Sequence, residues 1–214
     1  MASNHILLIT LALISISRIS FAFDSRPLQD FCVVDSTGKA PCKDPNLVTA
    51  DDFLLTGFDR PGNTSNPYGS ATAFASVATV PGFNTLGLTL ARADFAPNGY
   101  LPPHIHHGAS EVIVVLEGEM EVGFITSYPE YKYYSKVVRK GGVFIVPVGL
   151  LHTVRNVAEG NSAVVVAFNS QNPGFAFIPD GFMAAKPAVD SGHLAEAFKL
   201  DENTVKDLQT KMWF

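Results

Sequence analysis

The sequence predicts an all-β protein with a helical C-terminal tail. Between residue 71 and about residue 180, short runs rich in β-branched and aromatic residues alternate with Gly, Pro and Asn. Several short strands at this spacing are typical of a β-sandwich or a β-barrel in one domain. Only after Pro187 does the spacing of apolar residues change to that of a helix.

Individual strands are predicted from apolar runs bounded by turn residues. Leu86, Leu88 and Leu90 alternate with Gly and Thr, which indicates a half-buried strand. The continuous apolar run at 112–116 predicts another strand, and Glu117-Gly118-Glu119 predicts the turn that follows it. The remaining predicted strands are residues 120–125, 143–146 and 163–168.

The C-terminal tail is predicted to contain two helices. Two sets of apolar residues have helical spacing, Leu194 and Phe198 in the first and Val205, Leu208 and Met212 in the second. Asp201 or Asn203 is the expected N-cap of the second helix, because a short polar side chain accepts a hydrogen bond from the first helical turn.

The composition excludes two classes of function. The 214 residues are 47% apolar and 16% charged, with a formal net charge of −5 and no cluster of Lys or Arg, so we expect no nucleic-acid binding. The longest apolar stretch, residues 6–17, is shorter than the roughly 20 residues of a membrane span. We therefore do not expect this chain to be an integral membrane protein.

Three features predict secretion. The apolar stretch at 6–17 runs toward Ser20-Phe21-Ala22, which predicts a signal peptide over 1–22, with a buried N-terminal helix as the alternative. Cys32 and Cys42 are the only cysteines and are expected to form a local disulfide in an oxidising compartment; they remain free thiols if the signal peptide is wrong. Asn63 begins the sequon Asn-Thr-Ser in a predicted surface loop, which indicates glycosylation.

Four polar residues have the pattern of a metal site. His104 and His106 are two positions apart, so on an extended strand both imidazoles point to the same face. Glu111 directly precedes the apolar run 112–116 and opens that predicted strand. His152 follows the strand predicted at 143–146. In a closed barrel all four side chains can point inward at one ion.

The residue types indicate which ion is expected. Three neutral imidazoles and one carboxylate suit an octahedral first-row ion with two positions left open, and Mn²⁺ or Fe²⁺ is a good candidate. The alternative is that His104 and His106 are exposed loop residues and His152 a hydrogen-bonded core residue. His107 has the wrong parity to join its neighbours, and His193 lies in the helical tail, so neither is expected to bind metal.

Two motifs and three further segments carry a family resemblance. The run Asn98-Gly99-Tyr100-Leu101-Pro102-Pro103-His104-Ile105-His106, followed by Glu111 and Gly118, resembles the first cupin motif. The second cupin motif is matched by Gly141, Pro147, Gly149, His152 and Asn156. Residues 29–32, 134–139 and 168–174 are similar to germins and germin-like proteins of plants.

The resemblance implies a cupin jelly-roll β-barrel with a helical C-terminal extension. It also implies manganese held by His104, His106, Glu111 and His152, in a glycoprotein of the plant apoplast. A homo-oligomer is implied, usually a hexamer, in which the C-terminal helices contact neighbouring subunits. The expected organisation is a signal peptide (1–22), an N-terminal extension (23–70), the barrel (71–185) and the oligomerisation helices (186–214).

The sequence departs from the family pattern at four positions. Asn98 stands in place of the first motif's leading glycine, and Gly142 in place of an acidic residue in the second motif. Oxalate-oxidising germins hold their substrate with two asparagines, where this sequence has Ala91 and Leu101. A buried oxalate dianion needs hydrogen-bond donors, which these two side chains lack, so we expect no efficient oxalate oxidation.

Three functions remain open at this point. The first is a redox metalloenzyme of the superoxide dismutase type with a role in defence. The second is an enzyme or binding protein for an apolar small molecule, because Ala91 and Leu101 make the expected pocket more apolar. The third is a secreted binding or wall-structural protein that resembles the auxin-binding branch of the family.

Overall fold

The computed structural model describes residues 29–211. The chain divides into two compact units, residues 1–31 and residues 32–214, and the fold described below is that of the second unit. The predicted signal peptide, residues 1–22, lies outside the described residues, as does Met212. In the described part of the chain no helix is both long and apolar enough to cross a membrane.

Two five-stranded antiparallel sheets confirm the all-β fold. Their strand orders are β1-β2-β9-β4-β7 and β10-β3-β8-β5-β6. The strands are β1 (Ser70–Ala75), β2 (Thr89–Phe95), β3 (Tyr100–Ile105), β4 (Glu111–Glu117), β5 (Glu119–Ile125), β6 (Tyr133–Arg139), β7 (Val143–Val146), β8 (Leu151–Asn156), β9 (Ser162–Phe168) and β10 (Ala176–Phe177).

Three α-helices follow the last strand: α1 (Ile178–Met183), α2 (Ser191–Phe198) and α3 (Glu202–Gln209). Asp201 is the N-cap of α3, as predicted, and its carboxylate accepts a hydrogen bond from the Thr204 amide at 2.9 Å. Leu194 and Val205 are buried in a small second core between these helices. The short helix α1 has no counterpart in the sequence prediction.

The main core lies between the two sheets and is built by alternation along each strand. On β4 the buried side chains are Glu111, Ile113 and Val115, and on β8 they are His152, Val154 and Asn156. Because positions i, i+2 and i+4 share one face of a strand, each strand carries a metal-site candidate and core residues on the same face.

The prediction of a strand over Leu86, Leu88 and Leu90 is wrong for its first half. Strand β2 begins only at Thr89, and the side chains of Leu86 and Leu88 are 43% and 48% exposed. Gly87 has a φ of +65°, which ends any extended backbone at this point. Leu and Gly alternate here as they would in a strand, but the chain turns at this point.

Within residues 32–69, before β1, a disulfide and contacts with β2 fix the backbone. Cys32 and Cys42 form the predicted disulfide. Further along, the Arg92 and Asp94 side chains on β2 form an ion pair at 2.6 Å, and the Gly62 amide donates to Asp94 at 2.9 Å. Asn63, the predicted glycosylation site, is exposed beside this anchor, and its glycosylation stays a prediction.

Asn156 joins three segments at one end of the barrel. Its fully buried amide nitrogen donates to the carbonyls of Ala96 and Gly160, both at 2.8 Å. Its amide oxygen accepts from the Ala158 amide at 2.9 Å and from the Ser162 hydroxyl at 2.7 Å. A single side chain therefore satisfies polar groups from the ends of β2, β8 and β9.

We expect the substitution Asn156→Ala to lower the free energy of unfolding by about 3 kcal/mol, because it leaves several buried polar groups without partners. Urea denaturation of the variant and of the wild type measures the difference. The exposed Asn161 provides a matched control, Asn161→Ala, which we expect to be nearly neutral. Equal midpoints for Asn156→Ala and wild type would show that this network does not stabilise the barrel.

Candidate metal centre

The four predicted ligands meet at one end of the barrel. His104 and His152 are directly opposite each other on β3 and β8 of the second sheet. Glu111 begins β4 in the first sheet, and His106 follows β3 by one residue. One potential ligand atom from each side chain lies within 4.8 Å of the others, and all four residues are buried.

An irregularity in β3 decides which of its side chains face the barrel interior. Leu101 pairs with Val154 and His104 pairs with His152, so three steps along β3 match two steps along β8. In a regular strand Leu101 and His104 would point to opposite faces. Because of the register shift, both line the same cavity.

Each imidazole is oriented by a backbone carbonyl at its Nδ1 atom. The three Nδ1···O distances are 2.8 Å from His104 to Pro102, 2.7 Å from His106 to Gly174 and 2.9 Å from His152 to Leu150. A carbonyl only accepts, so Nδ1 carries the proton in each ring. The Nε2 atom of each neutral ring is left with a free lone pair, as in histidines that bind metal.

The buried atoms at the centre lack partners. Nε2 of His106, Nε2 of His152 and Oε2 of Glu111 have no hydrogen bond. Glu111 Oε2 nevertheless lies 2.9 Å from Nε2 of His152 and 3.5 Å from Nε2 of His106. Lone pairs facing a carboxylate oxygen repel one another unless a cation lies between them. The donor set therefore fits a first-row metal ion.

Burial lowers the pKa values of two of the imidazoles. It lowers the pKa of His104 to about 3, and the neighbouring His152 lowers that pKa further, against the opposing effect of the hydrogen bond to Pro102. Burial also lowers the pKa of His106, although Glu111 acts in the opposite direction. Near neutral pH no proton competes with a cation for the His104 lone pair.

Comparisons with known proteins agree with this geometry. Residues 56–206 match the family described as Cupin. Germin-like protein subfamily 1 member 3 of Arabidopsis thaliana is 44% identical over 87% of this chain and 84% of its own. Germin-like protein 8-11 of Oryza sativa subsp. japonica is 41% identical over 100% of this chain and 98% of its own.

The chain belongs to the germin-like proteins of the cupin family.

Solved structures show how far the similarity extends. Oxalate oxidase in complex with the substrate analogue glycolate is 41% identical to this germin-like chain, covers 88% of it and 97% of itself, and has a TM-score of 0.83. Peruvianin-I, a cysteine peptidase from Thevetia peruviana latex, is 35% identical, covers 73% of this chain and 98% of itself, and has a TM-score of 0.67.

A cavity of about 100 Å³ lies beside His104, His106 and Glu111. Ala91 and Leu101, predicted to line the pocket, do line it, while their role toward a substrate stays a prediction. Apart from the candidate ligands, Thr72 is the only polar residue on its wall among the residues that the structure describes. The other lining residues are Phe74, Ala93, Val166, Phe168, Phe175 and Phe177.

The two remaining histidines of the described chain lie outside the centre. His107 is exposed, consistent with its parity, and His193 is exposed on α2. Sequence reasoning missed Gly174 and Phe175, which contact His106 from 68 and 69 positions further along the chain. The match of residues 168–174 to germin-like proteins was the only signal that pointed to this segment.

We expect Gly174→Ala to lower the affinity of the protein for Mn²⁺ by about tenfold to a hundredfold, the usual effect of disturbing a hydrogen bond that orients a metal-binding histidine. Gly174 has a φ of +68°, and an added Cβ would lie 2.0 Å from Cε1 of His107. The Gly174 carbonyl would therefore shift away from His106. Isothermal titration with Mn²⁺ measures the affinity.

Gly181→Ala is the matched control, because a Cβ at Gly181 meets no atom within 4 Å. We expect this variant to bind Mn²⁺ as the wild type does. Wild-type affinity in Gly174→Ala would mean that the Gly174 carbonyl does not position His106.

Proposed function

We propose that this germin-like protein is a secreted manganese protein of the plant apoplast that disproportionates superoxide and acts in defence. The observation that carries the proposal is the set of unpartnered donor atoms on His106, Glu111 and His152 around a shared buried centre. Iron remains a possible alternative ion, because the same donor types bind both metals.

Disproportionation of superoxide requires no protein group outside this site. A bound manganese ion supplies two oxidation states, and two superoxide anions with two protons yield dioxygen and hydrogen peroxide. Three neutral imidazoles and one carboxylate leave a divalent site with one formal positive charge, which attracts a small anion. His104, His106, Glu111 and His152 would act by holding the ion, so no separate nucleophile is needed.

The size of the cavity favours a very small substrate. Pockets for drug-sized ligands usually measure about 300–1,000 Å³, whereas the cavity beside the four ligands measures about 100 Å³. A diatomic anion fits this volume without rearrangement. The size therefore favours superoxide over an aromatic or alkaloid-like molecule.

The cavity wall disfavours two activities of the structural relatives. Ala91 and Leu101 offer no hydrogen-bond donor to an oxalate dianion, and Thr72 is the single polar residue besides the ligands. Cysteine peptidase activity needs a free thiol, whereas the only two cysteines of this chain, Cys32 and Cys42, form a disulfide. Neither relative's activity is therefore proposed for this protein.

Secretion and assembly belong to the same proposal. The Cys32–Cys42 disulfide fits an oxidising compartment, and the exposed Asn63 is open to glycosylation. We further propose a homo-oligomer, a hexamer by analogy with germins, assembled through the region 186–214. Phe198 on α2 and Leu200 after it support this, since each residue is 43% exposed.

We expect the secreted, glycosylated protein to contain nearly one manganese ion per chain and to disproportionate superoxide. Chelation should abolish the activity and manganese should restore it, because the reaction depends on the metal. In Glu111→Ala both metal content and dismutation rate should fall by at least about tenfold, since the only carboxylate of the site is lost. Metal analysis and a superoxide assay on the same preparations measure both.

His193→Ala is the control, because it removes an exposed imidazole far from the four ligands in sequence. If Glu111→Ala kept its metal and its rate, the proposed mechanism would be wrong. Bound manganese without dismutation would contradict the activity but not the site. No metal at all would favour a binding or structural protein. Peroxide release from oxalate at a high rate would overturn the interpretation of Ala91 and Leu101.

The apolar wall of the cavity favours a second candidate function, the binding or conversion of a small apolar molecule. Phe74, Leu101 and Val166 are among the apolar residues that line it. An occupant larger than the present cavity would require the wall to open. Metal-assisted isomerisation, elimination or oxidation of such a molecule is then the alternative to dismutation.

For this second candidate, we expect the double variant Ala91→Asn/Leu101→Asn to weaken binding of apolar molecules by at least about tenfold, because two amides would have to be desolvated. A screen of small aromatic compounds by ligand-observed NMR, on wild type and variant, measures this. Binding that is equal in both proteins would place the apolar molecule elsewhere on the surface.

A further inference from the structure

Two aromatic rings separate the metal cavity from an outer pocket. The inner cavity, of about 100 Å³, and the outer pocket, of about 310 Å³, share Phe74 and Phe175 as lining residues. The outer pocket is also lined by Ser76, Thr89 and Gln171. A molecule that moves from the outer pocket to the ligands must therefore pass these two rings.

The Phe175 ring packs on the ligand side chains themselves. Its centroid lies 4.2 Å from that of His106, with the two rings nearly perpendicular at 89°. It also lies 5.3 Å from the ring of Phe74 and 5.9 Å from the ring of Phe168. Phe175 is nevertheless 39% exposed, so one side of the ring faces solvent while the other covers the cavity.

The rest of the cavity wall cannot open easily. Most of the residues that line it lie on strands β1, β2, β3, β4, β9 and β10, whose backbones are fixed by ladder hydrogen bonds. Apart from the ligand His106, Phe175 is the only described lining residue outside these strands. Rotation of a half-exposed ring breaks no hydrogen bond, so it is the least costly way in.

The backbone just before Phe175 is anchored to the segment that carries His106. The Gly108 amide donates to the Pro173 carbonyl at 2.9 Å, and His106 Nδ1 donates to the Gly174 carbonyl at 2.7 Å. The ring can therefore move while its backbone stays in place. Were the whole segment to lift, His106 would lose the partner that orients it.

We infer that Phe74 and Phe175 form a gate that sets the size of the molecules admitted to the metal centre, with Phe175 as its moving part. Phe175 is thus a specificity-determining residue: small anions pass it, whereas planar carboxylates the size of benzoate do not. The inference rests on the proposed function only in taking the four ligand side chains as the destination. It does not depend on superoxide as the substrate.

The first test uses anion binding to the manganese-loaded protein, followed by electron paramagnetic resonance. We expect wild type to bind azide but not benzoate at the metal. In Phe175→Ala, benzoate should bind at least about tenfold more tightly, while azide affinity should change less than about twofold, because azide already passes the gate. Tyr128→Ala, which removes an exposed ring from the segment between β5 and β6, is the matched control.

A second test needs no metal and keeps the inference separate from the proposed function. Diethyl pyrocarbonate modifies accessible imidazoles. Tandem mass spectrometry distinguishes adducts on His104 and His106 from those on the exposed His107 of the same peptide, and gives the rate at the first two in the full-length, metal-free chain. We expect modification about fivefold faster in Phe175→Ala and slower in Phe175→Trp, relative to the exposed His193 in the same sample.

The outcomes of the two tests are distinct. Benzoate exclusion and imidazole modification that are unchanged in both Phe175 variants would overturn the gate. Loss of benzoate exclusion in Tyr128→Ala as well would attribute the effect to general loosening, which also overturns it. A protein that shows the gate in both tests yet does not disproportionate superoxide would contradict the proposed function alone.

Discussion

Three imidazole lone pairs and one carboxylate are forced into the same buried volume, and the rest of the structure is arranged around that constraint. The protein holds these groups together although they repel one another without a cation. Backbone carbonyls fix the proton on each Nδ1, and burial keeps His104 neutral by lowering its pKa to about 3. The site is thereby organised for a metal ion before any ion arrives, which limits the reorganisation that binding requires.

The barrel separates this strained arrangement from the interactions that stabilise the fold. The inner face of β8 carries His152 at one end, Val154 in the apolar core and Asn156 at the other end. Asn156 is fully satisfied by hydrogen bonds, whereas Nε2 of His152 has no hydrogen bond. One strand therefore carries the stabilising Asn156 network at one end and the unsatisfied His152 atom that the proposed function requires at the other.

Oxalate oxidase is 41% identical to this chain, but that similarity does not specify the chemistry beside the four candidate ligands. The cavity next to the ligands is small, almost wholly apolar and covered by a half-exposed ring, Phe175. Such surroundings favour a small anion drawn by charge over a dianion that needs several hydrogen-bond donors. Residues such as Ala91 and Leu101, which line the cavity beside the candidate ligands, can therefore distinguish the reactions of proteins that share one fold.

The sequence by itself determined the fold class, the four candidate metal ligands and the disulfide. His104 and His106 share a face through strand periodicity, and Cys32 has a single possible partner. Three other features depend on the tertiary structure and cannot be derived from the spacing of residues in the sequence. Leu86 and Leu88 alternate like a strand, yet they lie in a turn that Gly87 makes possible. The register shift in β3 places Leu101 and His104 on the same side against their parity. The contact of Phe175 with His106 joins residues that are distant in the chain and meet only when the barrel closes.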